Sequence, residues 1–287
     1  RTLELLLVEQ PMMAALSTDF SPEAAKLNQD VTSRIVGIPG TSAYDPGNGG
    51  YQTENTVLTD VTVTINQHKS CQVSFNANEL ASTSRRLFDE LAPAMSYAIG
   101  KDFIDAALAV ITAANFTEAP TVEAEIDFDR GTVIKIGGAL DDRGVPKGGR
   151  TLLLKGSYYD RLFSDPAIVT LAGNQRQDLI TGDRMIPVHG FNVVRTATLP
   201  ATDNLAGFGF SKSAIVVAGR VPSDYANALP GATGGGTSQV ITEPNSGLSV
   251  HLVQFVDHKA GAAFARMAYL FGAAKGQIKA GQRLTSA

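Results

Sequence analysis

The sequence predicts an α+β chain, and three observations carry that prediction. A helical repeat runs from Asn78 to Phe116, period-two segments precede it, and short apolar runs punctuated by Gly and Pro follow it. A chain of 287 residues can bury a sizeable core. The formal charge is −4, but residues 1–150 carry 12 basic and 20 acidic side chains while the rest carry 12 and 8, which argues against a basic nucleic-acid-binding domain. A single Cys leaves no intrachain disulfide and fits a reducing compartment. The apolar run Leu3–Val8 is far shorter than the ~20 residues that span a bilayer, so a soluble protein without a membrane partner is expected.

Residues 1–33 read as an N-terminal arm, with Leu3, Leu5, Leu6 and Leu7 at its start and breaks at Pro11 and Pro22. Residues 34–66 read as an extended β-ribbon loop. Arg34–Ile38 leads into a tip at Pro39–Gly50 rich in Gly, Asn, Asp and Pro, and the chain then returns with Val57, Thr59, Val61, Val63 and Ile65 on one face. A two-stranded ribbon is marginal alone, and the arm is too thin to cover it. Ile35, Val57, Val61 and Val63 are therefore expected to lie against another subunit. Lys69–Phe75 continues in extended form, with Lys69, Cys71, Val73 and Phe75 opposite Ser70, Gln72 and Ser74.

In the spine helix, 78–116, Asn78 is a cap and Leu87, Leu91, Met95, Ile99, Phe103, Ala106 and Val110 form one stripe. Ile104, Leu108 and Ile111 lie beside it, and Lys101, Asp102 and Asp105 form a wet edge. Pro93 predicts a kink near Leu91 or a short first helix ending there. The connector Thr117–Asp129 holds Glu118, Glu123, Glu125, Asp127 and Asp129 and no base. Asp127 is a candidate cap for a helix through Leu140, with a strand at Thr132–Ile136 as the competing reading. Beyond it come a strand at Thr151–Leu154, a helix at Ser157–Phe163, strand-like runs at Met185–Val188 and Phe191–Thr196 hinged at His189-Gly190, and a strand at Ser213–Ala218. A loop is expected at Gly231–Ser238, then extended segments at Leu248–Asp257 and Ala262–Ala274.

Chemistry is sparse. His68 and Cys71 stand three apart, but alternation turns them to opposite faces, which favours an inert core thiol over a nucleophile. His189, His251 and His258 lack ligand spacing. Asp45–Gly50 resembles the start of a calcium loop but meets Thr56 where a bidentate Glu is required. Gly231–Gly236 lacks the Gly-Lys-Ser/Thr ending of a phosphate loop, and Gly-x-Ser-x-Gly is absent. No catalytic residue, cofactor or metal site is expected.

The order of parts resembles the major capsid proteins of tailed bacteriophages, which have the Hong Kong 97-type fold. Four stretches carry the likeness: Val61–Phe75 entering the spine, Gly144-Val145-Pro146 followed by Arg150–Leu154, Val188–Val193, and Tyr269–Ala273. The resemblance implies a peripheral domain at 67–150, an axial domain at 151–240, and C-terminal strands at 241–287 returning to both. It also implies a virion coat protein, assembled in the host cytoplasm, whose copies close into an icosahedral shell around double-stranded DNA. Scaffold, portal or decoration proteins are the further partners it suggests. Some members lock neighbouring loops through a Lys–Asn bond; no Lys occurs from Arg34 to His68, so a non-covalent shell is expected. An encapsulin-like nanocompartment is the alternative sharing the fold, and an α+β hydrolase or transferase using the acidic connector is the alternative from another class.

Overall fold

A computed structural model describes residues 12, 15–36, 41–44, 46–48, 50, 58–76, 87–166, 187–223, 236–242, 247–257, 259 and 261–287. Its larger sheet is built around β12 (Ala262–Lys275), a strand of 14 residues that takes different partners along its length. The first part of β12 lies between β11 (Ser249–Asp257) and β4 (Gln67–Asn76), and its last residues pair with β9 (Ile215–Pro222). β10 (Gly236–Thr242) extends the β11 side, and β1 (Ser17–Ala25) runs parallel to β9. The arm expected at 1–33 thus contributes a strand to this sheet, with Leu16 and Ala25 buried at its two ends.

The second sheet has the order β5 (Thr121–Val122), β13 (Gly281–Thr285), β8 (Leu205–Phe210), β6 (Arg150–Lys155) and β7 (Phe191–Thr196). The alternation in β8, Leu-Ala-Gly-Phe-Gly-Phe, explains its packing. Phe208 and Phe210 stack on one side, where Phe116 meets Phe208 edge-on at 4.8 Å. On the other side a side chain at Gly209 would come within 2.6 Å of Ile136 Cγ2, so glycine lets helix α2 (Arg130–Asp142) settle on the strand.

The spine, α1 (Leu87–Leu108), buries Met95, Ile99, Phe103, Ile104, Ala107 and Leu108. The Tyr269 hydroxyl of β12 donates to the Ile99 carbonyl at 3.0 Å, and burial pushes this phenol's pKa up. Two boundaries of the expected spine need correction or fall outside the described residues. The short first helix ending near Leu91 is not found among the described residues: α1 runs on through Pro93. It stops at Leu108 instead of Phe116. There the β-branched run Val110-Ile111-Thr112 is a poor helix former, Thr112 Oγ1 accepts the Asn115 N–H, and Asn115 Nδ2 donates to the Val110 carbonyl. Residues 78–86, the expected first part of the helix, are not among those described.

Helix α2 settles the choice between helix and strand at 130–142. Asp129, not Asp127, is its cap, accepting from the Thr132 N–H at 3.0 Å; Asp127 closes a 3-10 turn at Glu125–Asp127. Helix α3 (Gly156–Phe163) follows β6. Val188 forms a bridge with Phe191 across His189 and Gly190, whose φ values of 50° and 83° make a two-residue turn. β10 starts at Gly236, so the last three residues of the expected 231–238 loop are strand; 231–235 lie outside the described residues. By sheet membership, β9 and β10 join β11 and β12, whereas β5 and α2 accompany β6 to β8 and β13. The sheets therefore divide the chain differently from the expected boundaries at residues 150 and 240.

Candidate assembly surfaces

The ribbon is formed by β2 (Asp30–Val36) and β3 (Leu58–Thr64), antiparallel, with Val31 opposite Val63 and Ser33 opposite Val61. Its solvent face carries the exposed Arg34–Asp60 pair at 2.9 Å, which raises the Arg34 pKa and lowers that of Asp60 through their hydrogen bond. Its apolar face is covered by the same chain. Val63 is 0% and Val61 9% exposed, clustered with Val216 and Ala218 of β9 and with Ala274. Ile65 packs against Ala25 and Leu270. Val61 and Val63 are therefore core residues of their own subunit, and their expected place against a neighbour is corrected. Period two identifies the apolar face of a strand but not its cover, which here comes from strands more than 140 residues away. A side chain at Gly272 of β12 would run into the Thr64 carbonyl, so the absent side chain admits the ribbon. Ile35 belongs to β2 and Val57 lies outside the described residues.

Exposed apolar surface lies elsewhere. On α1, Leu91 and Tyr97 face solvent together with Ala94 and Ala98, and no charged residue occurs between Leu91 and Gly100. In the connector, Val122 and Ile126 are exposed on a braced backbone. Tyr158 donates to the Glu123 carbonyl at 3.0 Å, and Phe128 is buried edge-on to Tyr158. Lys135 hydrogen-bonds Glu123 at 2.9 Å and holds its carboxyl below the usual value. A buried guanidinium fixes the next corner: Arg150 donates to the carbonyls of Pro146 and Val145 and to Asp141, the last at 2.7 Å.

The sites considered for chemistry stay apart. Cys71 is half-buried opposite Met267 in β4, its pKa raised by burial and then by Asp102, while His68 is exposed. His251 is buried and hydrogen-bonded to Ser238 at 2.7 Å; His189 is exposed on its turn. Among the described residues no group of three potential metal ligands comes together, and no helix is long and apolar enough to cross a membrane. The exposed apolar residues of α1 and the connector were not singled out from sequence as surface. Ile126, an apolar residue isolated among acids, was the available signal.

No family model matches the sequence, and neither does any curated protein. The fold does match solved structures. A chain of the cyanophage P-SCSP1u capsid aligns over 95% of this chain and 86% of its own, at 13% identity and a TM-score of 0.59. A chain of the mature capsid of bacteriophage PhiM1 aligns over 94% and 86%, at 10% identity and a TM-score of 0.57. One from Mycobacterium phage Che8 aligns over 99% and 90%, at 14% identity and a TM-score of 0.53. The chain has the α+β fold of tailed-phage capsid proteins, as its sequence led us to expect.

Proposed function

We propose that this chain is a major capsid protein, many copies of which close into an icosahedral shell around double-stranded DNA. The observation that carries the reading is the near-complete overlap with the cyanophage P-SCSP1u and bacteriophage PhiM1 capsid chains, 95% and 94% of this chain. Its role is structural, and no step of it calls for a catalytic residue or cofactor. Exposed Leu91, Tyr97, Val122 and Ile126 on ordered elements supply the apolar surface that contacts between copies need. With Val61 and Val63 seated on their own sheet, the exposed apolar residues of α1 and the connector join neighbours. The shell is non-covalent, held by those contacts or by accessory proteins, since the loop region lacks the lysine for a Lys–Asn lock. Scaffold, portal and decoration proteins complete the assembly, which takes place in the host cytoplasm.

Light scattering on the purified chain, alone and after co-expression with a scaffold, tests the reading. Species in the megadalton range are expected. A 30.2 kDa monomer under every condition would overturn it.

A further inference from the structure

Nothing blunts the outer edge of β4. Its ten residues, Gln67–Asn76, pair with β12 in unbroken register, without a proline or a bulge. Among the described residues, the backbone of Gln67–Phe75 hydrogen-bonds to β12 alone, so the outward N–H and C=O groups of alternate residues are unpaired. A free edge of that kind is a template for another strand. Edge strand β1, by contrast, carries Pro22 and a register shift between Phe20 and Ala24.

Above the same edge, α1 leaves an apolar flank open. The helix packs on both β12 and β4. Leu91, Ala98 and Asp102 stand at i, i+7 and i+11, one stripe of the helix, and Asp102 lies close enough to Cys71 of β4 to raise its pKa, so this stripe overhangs β4. All three residues, and Ala94 beside them, are exposed, whereas Ile104 and Leu108 on the opposite flank are buried. The strand edge and the helix flank share a centre. Ile99 is bonded to Tyr269, which is in register with Lys69, and Phe103 meets Phe271, which is in register with Gln67. One helical turn back from Ile99, about 6 Å, Met95 is therefore level with Cys71, two residues or about 6.6 Å along β4. Met95 is also the middle of the exposed run from Leu91 to Ala98.

We infer that the occupant of this edge is the β4 of a second copy, paired antiparallel about a two-fold axis at Cys71, with Leu91, Ala94 and Ala98 of the two α1 helices closing over the joint. A shared centre is what such an isologous contact requires. Ser70 then faces the second copy's Gln72, and His68 its Ser74. Like charges do not meet, because Lys69, the only Lys, Arg, Asp or Glu in β4, faces Val73. The axis stands normal to the sheet, so both helices lie on one face. Set over the gap between β12 and β4, each helix is one strand spacing, about 4.8 Å, from the axis, which places the two about 10 Å apart. Helices pack at about 8–10 Å, and the small side chains of Ala94 and Ala98 suit that approach. The inference rests on the shell reading and assigns one contact between its copies.

Disulfide trapping tests it. In a Cys71→Ser background, His68→Cys, Ser74→Cys and the two together are expressed with a scaffold, oxidised and run on denaturing gels without reductant; both positions are exposed. In the pair each new thiol faces its counterpart on the second copy, whereas in either single variant the like thiols stand six residues, about 20 Å, apart. The double variant should give at least tenfold more covalent dimer than either single one. A second arm uses charge at exposed Ser70 and Gln72. Ser70→Glu with Gln72→Glu gathers four carboxylates at the axis and should lower the yield of assemblies at least tenfold by light scattering, and Ser70→Lys with Gln72→Glu should return it to within about twofold of the unmodified chain. Circular dichroism confirms that each variant is folded, and the charge arm decides if the cysteine variants are not. No excess of dimer in the folded double variant, or four carboxylates that leave assembly unchanged, overturns this contact and leaves the shell reading standing. An unmodified chain that never assembles overturns both.

Discussion

An Asp at position 63 would place a carboxylate against Val216 and Ala218 with no partner, so Val63→Asp is expected to abolish cooperative melting of the isolated subunit. The milder Val63→Ala, which removes two buried methyl groups and leaves a small cavity, should lower subunit stability by about 1.5–3 kcal/mol in a denaturant titration of unassembled protein. Unchanged stability in both would mean that β3 does not rest on its own sheet. Asp141 makes a second prediction. The hydrogen bond from Arg150, then that from Lys147, holds its carboxyl below the usual 3.8. A group depressed in this way stabilises the fold above its unfolded value and loses that contribution as pH falls through the folded one. Asp141→Asn should therefore melt at lower temperature than the unmodified chain at neutral pH, with the gap closing below about pH 4. A gap that persists into acid would assign the effect to lost packing.

The fit between ribbon and sheet turns on Gly272, where any side chain meets the Thr64 carbonyl. Gly272→Ala should lift the ribbon: amide exchange in β2 and β3 should speed up while β11 stays protected. Equal protection in both would refute the close approach. The elements also show what the sequence made legible. Val61, Val63 and Ile65 alternate with Asp60, Thr62 and Thr64 and are buried as the alternation requires, and the α1 stripe is buried at Met95, Ile99 and Phe103. β8 escaped notice because Gly207 and Gly209 dilute its strand signal; their value lies in admitting α2 and Leu154, contacts made across the fold. β13 was missed for a similar reason. Gln282 and Arg283 are polar in sequence yet buried, because Gln282 donates to the Ala119 carbonyl and Arg283 to that of Phe116.

For the whole molecule, the order of parts in the sequence was enough to anticipate the capsid fold, whereas the assembly surface was not readable at residue level. Which apolar residues face a neighbour depends on what the rest of the chain leaves uncovered: Val63 is covered and Ile126 is not. With no lysine from Arg34 to His68, particles boiled in denaturant should run as single chains, and ladders joined by Lys–Asn bonds would contradict the non-covalent shell. The central claim, that copies of this chain build a closed shell, is tested most directly by electron microscopy of particles purified after expression with a scaffold. Closed icosahedral shells into whose density the two-sheet subunit fits are the predicted result. Fields holding only dispersed single subunits would contradict it.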